Sequence, residues 1–173
     1  MELTPEVVVP VLRGSFGRPY VYERETASTQ LMLPEDVPHG AVALAEHQTE
    51  GRGRLGRTWL DQPGAGLMFS VCLRPPSPLQ RWPELTLVAA RAVAGSIGPG
   101  TSIKEPNDVL LDGRKVAGIL AEAREPRVVL GIGVNVGVAP WPGAGAADAD
   151  RLELLIEILD LLERGYEAWL TGR

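Results

Sequence analysis

One short stretch constrains the fold of this chain more than any other: Val109-Leu110-Leu111, then Asp112-Gly113, then Arg114-Lys115-Val116. A two-residue Asp-Gly connection is the preferred chemistry of a type I′ turn, in which both central residues take positive φ and the twist matches that of paired strands. An antiparallel hairpin is predicted there. Further strands are expected at residues 20–25, 41–45, 67–73, 117–123 and 128–136, short apolar runs bounded by breakers or polar residues. Leu85, Val88, Ala89, Ala92 and Ile97 recur at helical spacing, so a core-facing helix is predicted over 84–97, ended by Gly98-Pro99-Gly100. Leu155, Ile156, Leu159 and Leu162 predict a second helix from 152 onward, extended by Tyr166 and Trp169. Residues 26–33 open with polar side chains suited to capping and are bounded by Pro34 and Pro38, which predicts a short helical element. Residues 46–57 read as loop and 138–149 as linker. The fold class that follows is α+β, a mixed β-sheet flanked by helices.

At 173 residues, 45% of them hydrophobic, the chain suits one domain over 1–173. Its lone cysteine, Cys72, lies in an apolar run, which excludes a disulfide framework and favours a reducing, cytoplasmic setting. Nothing approaches the roughly 20 apolar residues of a membrane span. A net charge of -5 argues against nucleic acid as a partner. The positive charge is instead local: Arg52, Arg54 and Arg57 fall in one glycine-rich stretch, which suits a small phosphorylated ligand. His39 and His47 lack partners at metal-ligand spacing.

Three constellations carry the chemistry. The first runs Gln48-Thr49-Glu50-Gly51-Arg52-Gly53-Arg54-Leu55-Gly56-Arg57 and is followed by Trp59. Glycines let backbone amides close on a ligand, and each guanidinium presents a fork of donors matched to phosphate oxygens. A guanidinium about 4 Å from a phosphate gains about 4 kcal/mol at an effective dielectric of 20. The second is Lys104-Glu105-Pro106-Asn107-Asp108 leading through the hairpin to Lys115-Val116-Ala117-Gly118-Ile119-Leu120-Ala121-Glu122, and the third is Gly131-Ile132-Gly133-Val134-Asn135-Val136. Each has a plainer reading taken alone: a solvated loop, a turn, a hairpin lysine, bulge glycines, a core tryptophan at 59.

Together, and in this order, the stretches resemble the Gly-Arg-Gly-Arg-x-Gly-Arg, Lys-Trp-Pro-Asn-Asp, Lys-Val-Ala-Gly-Ile-Leu and Gly-Ile-Gly-Val-Asn motifs of biotin protein ligases, and Ser28-Thr29-Gln30 resembles that family's Ser-Thr-Asn. The resemblance implies a catalytic domain similar to those of class II aminoacyl-tRNA synthetases. It implies activation of biotin by ATP to biotinyl-5′-AMP, followed by transfer to a lysine of a biotin carboxyl carrier domain. By resemblance, Ser28, Thr29, Gln30 and Gln48 meet the ureido ring, the backbone at Gly51, Arg52, Gly53 and Arg54 closes over it, and Gly118, Gly131 and Gly133 let the sheet approach it. Lys115 and Arg54 are the implied catalytic residues. ATP is expected at Arg52, Arg54, Arg57, Trp59, Lys104, Asn107, Asp108, Lys115, Ile119, Leu120 and Asn135, with Mg2+ on Asp108.

Glu105 departs from the family's tryptophan. The short region before the first strand leaves no room for a DNA-binding helix-turn-helix, and a small C-terminal β-barrel domain is expected to be absent. A homodimer stays open. Two alternatives share these sequence features: a non-catalytic biotin-binding paralogue, and a lipoate or octanoate transferase of the same superfamily.

Overall fold

A computed structural model describes every residue except Ser77 and Arg173. Its strands are β1 (Tyr20–Thr26), β2 (Val42–Gln48), β3 (Leu67–Leu73), β4 (Thr101–Lys104), β5 (Asp108–Leu111), β6 (Arg114–Arg124) and β7 (Arg127–Val134). They form one sheet in the order β1-β2-β3-β7-β6-β5-β4. Only β1 and β2 run parallel, so the sheet is mixed, as the sequence predicts. The helices are a single turn, α1 (Pro5–Val8), and two longer ones, α2 (Glu84–Ile97) and α3 (Arg151–Thr171). Among the described residues no helix is long and apolar enough to cross a membrane.

The hairpin turn has the backbone its residues require, with φ of 49° at Asp112 and 77° at Gly113. The strands β3 and the helix α2 match their predicted limits. Other elements differ, each for a physical reason. The predicted strands at 114–116 and 117–123 are one strand, β6, because its first part pairs with β5 and the rest continues along β7. Strand β4 has no sequence signal of its own, since Thr101-Ser102-Ile103-Lys104 carries little apolar character and forms by pairing with β5. Strand β2 continues through residues read as loop because β1 supplies hydrogen-bond partners as far as Thr26↔Gln48. Residues 26–33 hold a single 3-10 turn, Thr29–Leu31, and Ser28 stays extended with no cap bond.

Both long helices cover one sheet face. Leu44, Phe69, Ile119, Leu130 and Ile132 meet Leu85, Ala89 and Val93 of α2 and Leu155, Ile158 and Leu162 of α3 in one buried cluster. Burying each large side chain contributes about 2 kcal/mol. Asp150 fixes the start of α3 by accepting the Leu152 and Glu153 amides, and Gly172, in the left-handed region, ends it.

Because side chains alternate along a strand, the opposite face carries the intervening residues. At one end it is covered by the segment after β1, where Leu33 and Val37 pack on Ala43, Cys72 and Val129. Arg127 donates to the Leu33 and Pro34 carbonyls and Arg74 to that of Val37, which clamps the segment. Toward the middle the face becomes hollow. One cross-strand row reads Ser70↔Gly131↔Leu120 and the next reads Met68↔Gly133↔Gly118↔Asp108. Three of those positions are glycines, and above them lies the cleft.

Candidate active site

The floor glycines are required by what rests on them. A Cβ at Gly131 would lie 2.6 Å from Gln30 Nε2, and one at Gly133 would lie 2.4 Å from the Trp59 ring. Both distances are inside van der Waals contact, so those side chains lie flat on bare backbone. The resulting cleft encloses about 230 Å³.

One end of it is polar and uncharged. The clamped segment places Ser28, Thr29 and Gln30 over the Ser70 row, each less than a tenth exposed. The Thr29 amide donates to Gln48 Oε1 at 2.8 Å, and the Thr29 and Ser70 hydroxyls share a hydrogen bond of 2.8 Å. Gln30 Nε2 donates to the Leu120 carbonyl, while Gln30 Oε1 is buried without a partner. A buried acceptor without a donor is costly, and a ligand N–H would relieve it.

The other end is charged. Lys115 Nζ lies 2.8 Å from Asp108 Oδ1, and it curls over Gly118, whose added Cβ would stand 3.4 Å from that nitrogen. Asn107 is tied to the sheet edge: its carbonyl accepts the Ile119 amide and its Nδ2 donates to the Ile119 carbonyl. That leaves Asn107 Oδ1 to accept from Arg54 at 3.2 Å.

Residues 49–59 form a strap across the top. Its two limbs are stitched by Gly53 N–H to Arg57 O at 2.7 Å, Trp59 N–H to Gly51 O at 2.9 Å, and a bridge between Arg52 and Thr58. The turn joining them puts Leu55 at φ 56° and 88% exposed. Trp59 is not a core residue in the ordinary sense: it is buried on the glycine floor with Lys115 Nζ 5.7 Å from its ring centre and its own Nε1 unpartnered.

Ser28, Thr29, Gln30, Gln48, Arg52, Gly53, Arg54, Arg57 and Trp59 thus come together in one cleft with Asn107, Asp108, Lys115, Gly118, Ile119, Leu120, Gly131 and Gly133. Three residues singled out from the sequence stand elsewhere. Lys104 is exposed at the end of β4, outside the cleft lining. Gly51 turns the strap, since a Cβ there would lie 2.5 Å from the Trp59 carbonyl. Asn135 is buried and donates to the Gly145 carbonyl, so it holds the linker to the sheet instead of facing the cleft. Trp141 was missed. It lines the cleft and meets Trp59 edge-on at 6.5 Å, and the signal for it was a tryptophan in a linker otherwise made of small residues. His47, unassigned from sequence, pairs with Asp61 at 3.0 Å; no three metal-ligating side chains gather among the described residues.

The mixed seven-stranded sheet with its helices matches the fold of biotin protein ligase structures. The biotin protein ligase of Aquifex aeolicus, solved with biotin and ATP, superposes with a TM-score of 0.74 at 34% identity, over 88% of this chain and 72% of that one. The model of the biotin/lipoate A/B protein ligase family matches residues 21–138, and the chain belongs to that family. The bifunctional ligase/repressor BirA of Bacillus subtilis is 44% identical over 130 residues, 68% of this chain and 40% of that protein. The biotin--[acetyl-CoA-carboxylase] ligase of Mycobacterium tuberculosis is 48% identical over 102 residues, 54% of this chain and 38% of that protein. The chain therefore spans about two fifths of the length of these curated relatives.

Proposed function

We propose that this chain is the catalytic domain of a biotin protein ligase, which joins biotin to ATP as biotinyl-5′-AMP and then passes the biotinyl group to a lysine of a carboxylase carrier domain. One observation carries the reading. The cleft is polar and uncharged at Thr29 and Gln48 and cationic at Lys115, with a glycine floor between. Biotin has that polarity: a ureido ring at one end, an apolar bicycle and tail, and a carboxylate at the other.

In the first step a biotin carboxylate oxygen attacks the α-phosphorus of ATP, the bond to the β-phosphate oxygen breaks and pyrophosphate leaves. Two anions must meet, and the Lys115 ammonium in the cleft supports this step, because a cation there would lower the repulsion between them. Arg54 and Arg52 close the strap over the product. In the second step the carrier lysine's amine attacks the activated carbonyl carbon, AMP departs, and the proton passes to solvent. Asp108, with Asn107 beside it, would hold Mg2+, which takes one or two carboxylates plus phosphate oxygens and would offset pyrophosphate charge. The donor set fits, because Asp108 has a second carboxylate oxygen beyond the one on Lys115.

The reading makes the carrier domain the protein partner and the cytoplasm the setting, with no nucleic acid bound by this domain. Incubation with biotin, ATP, magnesium and a carrier domain should add one biotinyl mass to the carrier. Exchange of pyrophosphate into ATP that depends on lipoate but not biotin would refute it.

A further inference from the structure

The strap is fastened on two sides, and only one fastening lies at the reacting charges. There, Arg54 reaches Asn107. On the other side Arg52 Nη1 lies 3.6 Å from Glu122 Oε1. Glu122 belongs to the row Cys72↔Val129↔Glu122, one row past Ser70↔Gly131↔Leu120 on the same sheet face. Rows on one face are about 6.7 Å apart, so Glu122 stands just beyond the uncharged end and about 13 Å from Gly118, far from the reacting groups.

We propose that Glu122 is a positioning residue: it fastens the strap through Arg52 over the uncharged end of the cleft and so slows escape of the bound biotinyl group. It touches neither substrate nor the reacting atoms. Fastening one arginine holds the whole strap, because the Arg52–Thr58 bridge and the Trp59-to-Gly51 hydrogen bond tie the second limb to the first. The second limb ends in Trp59, whose ring lies on Gly133, so the clasp at Glu122 also limits how far that ring can lift. The pair is partly exposed, at 41% for Arg52 and 33% for Glu122, which makes it weak, sensitive to salt and reversible, as a clasp that must open for turnover has to be.

The part of this that concerns biotin rests on the function proposed above; the clasp itself does not, and the test separates them. The ligand-free protein is digested with trypsin, and cutting after Arg52, Arg54 and Arg57 is followed by mass. In Glu122→Gln the strap should be cut about two- to fivefold faster, the size that an exposed ion pair supplies. Raising salt should speed cutting of the native strap but not of the variant, and Glu122→Asp should stay near the native rate. Release of biotinyl-5′-AMP should quicken by the same factor in Glu122→Gln, with the kcat of pyrophosphate exchange unchanged. Equal cutting of native and variant straps overturns the clasp. So does a salt-independent cutting rate in the native protein, a measurement that needs no variant. Faster cutting without biotin-dependent exchange in either protein keeps the clasp and removes the function.

Discussion

Lys115 Nζ and Asp108 Oδ1 stand 2.8 Å apart, and they reach that contact from adjacent strands, β6 and β5, joined by the Asp112-Gly113 turn. Sequence neighbours seven residues apart are thus folded into one charge pair by a two-residue turn. The pair is only partly exposed, with Lys115 at 34% and Asp108 at 22%, so the carboxylate holds the ammonium in place over Gly118 before any substrate arrives.

Removing that ammonium should stop adenylation without unfolding the domain. Lys115→Ala is expected to lower biotin-dependent pyrophosphate exchange by about 100-fold or more, the usual cost of losing one charge-stabilising donor. Thermal unfolding should shift little, because the Lys115–Asp108 pair is partly open to solvent, and such pairs contribute about 1 kcal/mol or less to stability. Exchange at the native rate would remove Lys115 from the chemistry.

Arg54 has a different task. Its hydrogen bond to Asn107 closes the strap at the charged end, so Arg54→Ala should let biotinyl-5′-AMP escape about tenfold faster, as expected for one charge-assisted hydrogen bond. Adenylate leaving the protein is detected by its labelling of amines in bystander proteins. Unchanged retention would show that the strap does not depend on this bond.

Much of this was legible in the sequence because it rests on local chemistry. The Asp112-Gly113 turn, strand β3 and helix α2 are set by turn residues, a bounded apolar run and a helical period, all readable within a short window. What escaped depends on pairing partners outside the segment itself. Strand β4 exists only because β5 pairs with it, and Gln48 is strand only because Thr26 lies beside it. Of the site residues, the motifs marked the strap, the lysine and the floor glycines. The resemblance of the 104–108 motif implies Lys104 beside the phosphates, whereas the end of β4 leaves it exposed and outside the cleft lining. Trp141 belongs to no motif and is brought to Trp59 by the path of the linker, which Asn135 holds to the sheet.

Glu105, which replaces a family tryptophan, is exposed in the turn after β4 and does not line the cleft. Glu105→Trp should therefore change the exchange rate by no more than about twofold, as surface substitutions do. A steady-state comparison of kcat and KM for ATP checks this, and a larger change in either would give the position a part in nucleotide binding.

Stability should carry the signature of His39. The Arg74 amide donates to His39 Nδ1 at 3.1 Å, and the ring packs against Phe16 and Tyr166 although the residue as a whole is exposed. That partial covering, the largest influence, pushes the imidazole's pKa below its ordinary value; nearby Glu163 pulls it up and Arg74 presses it down further. Its stabilising effect is thus fully present above the unfolded value of about 6.5 and is lost as pH falls toward the depressed folded value. Urea unfolding at about pH 7 and about pH 5 should show a drop that is smaller in His39→Gln, whose side chain cannot take up the proton. An equal drop in both proteins would assign the acid sensitivity to other groups.

The glycine floor offers the sharpest steric test. Gly133 lies in a strand with ordinary backbone, so an added methyl group is not resisted by φ; it is resisted by the Trp59 ring, 2.4 Å from where the Cβ would stand. Overfilling a packed contact costs about 1–3 kcal/mol, and the strap can escape that cost by lifting Trp59. Gly133→Ala should therefore keep its sheet, as read by circular dichroism, while its strap becomes more open to trypsin and ATP binding weakens by about tenfold. Unaltered ATP affinity with a lifted strap would separate Trp59 from the nucleotide and leave it a covering for the floor alone.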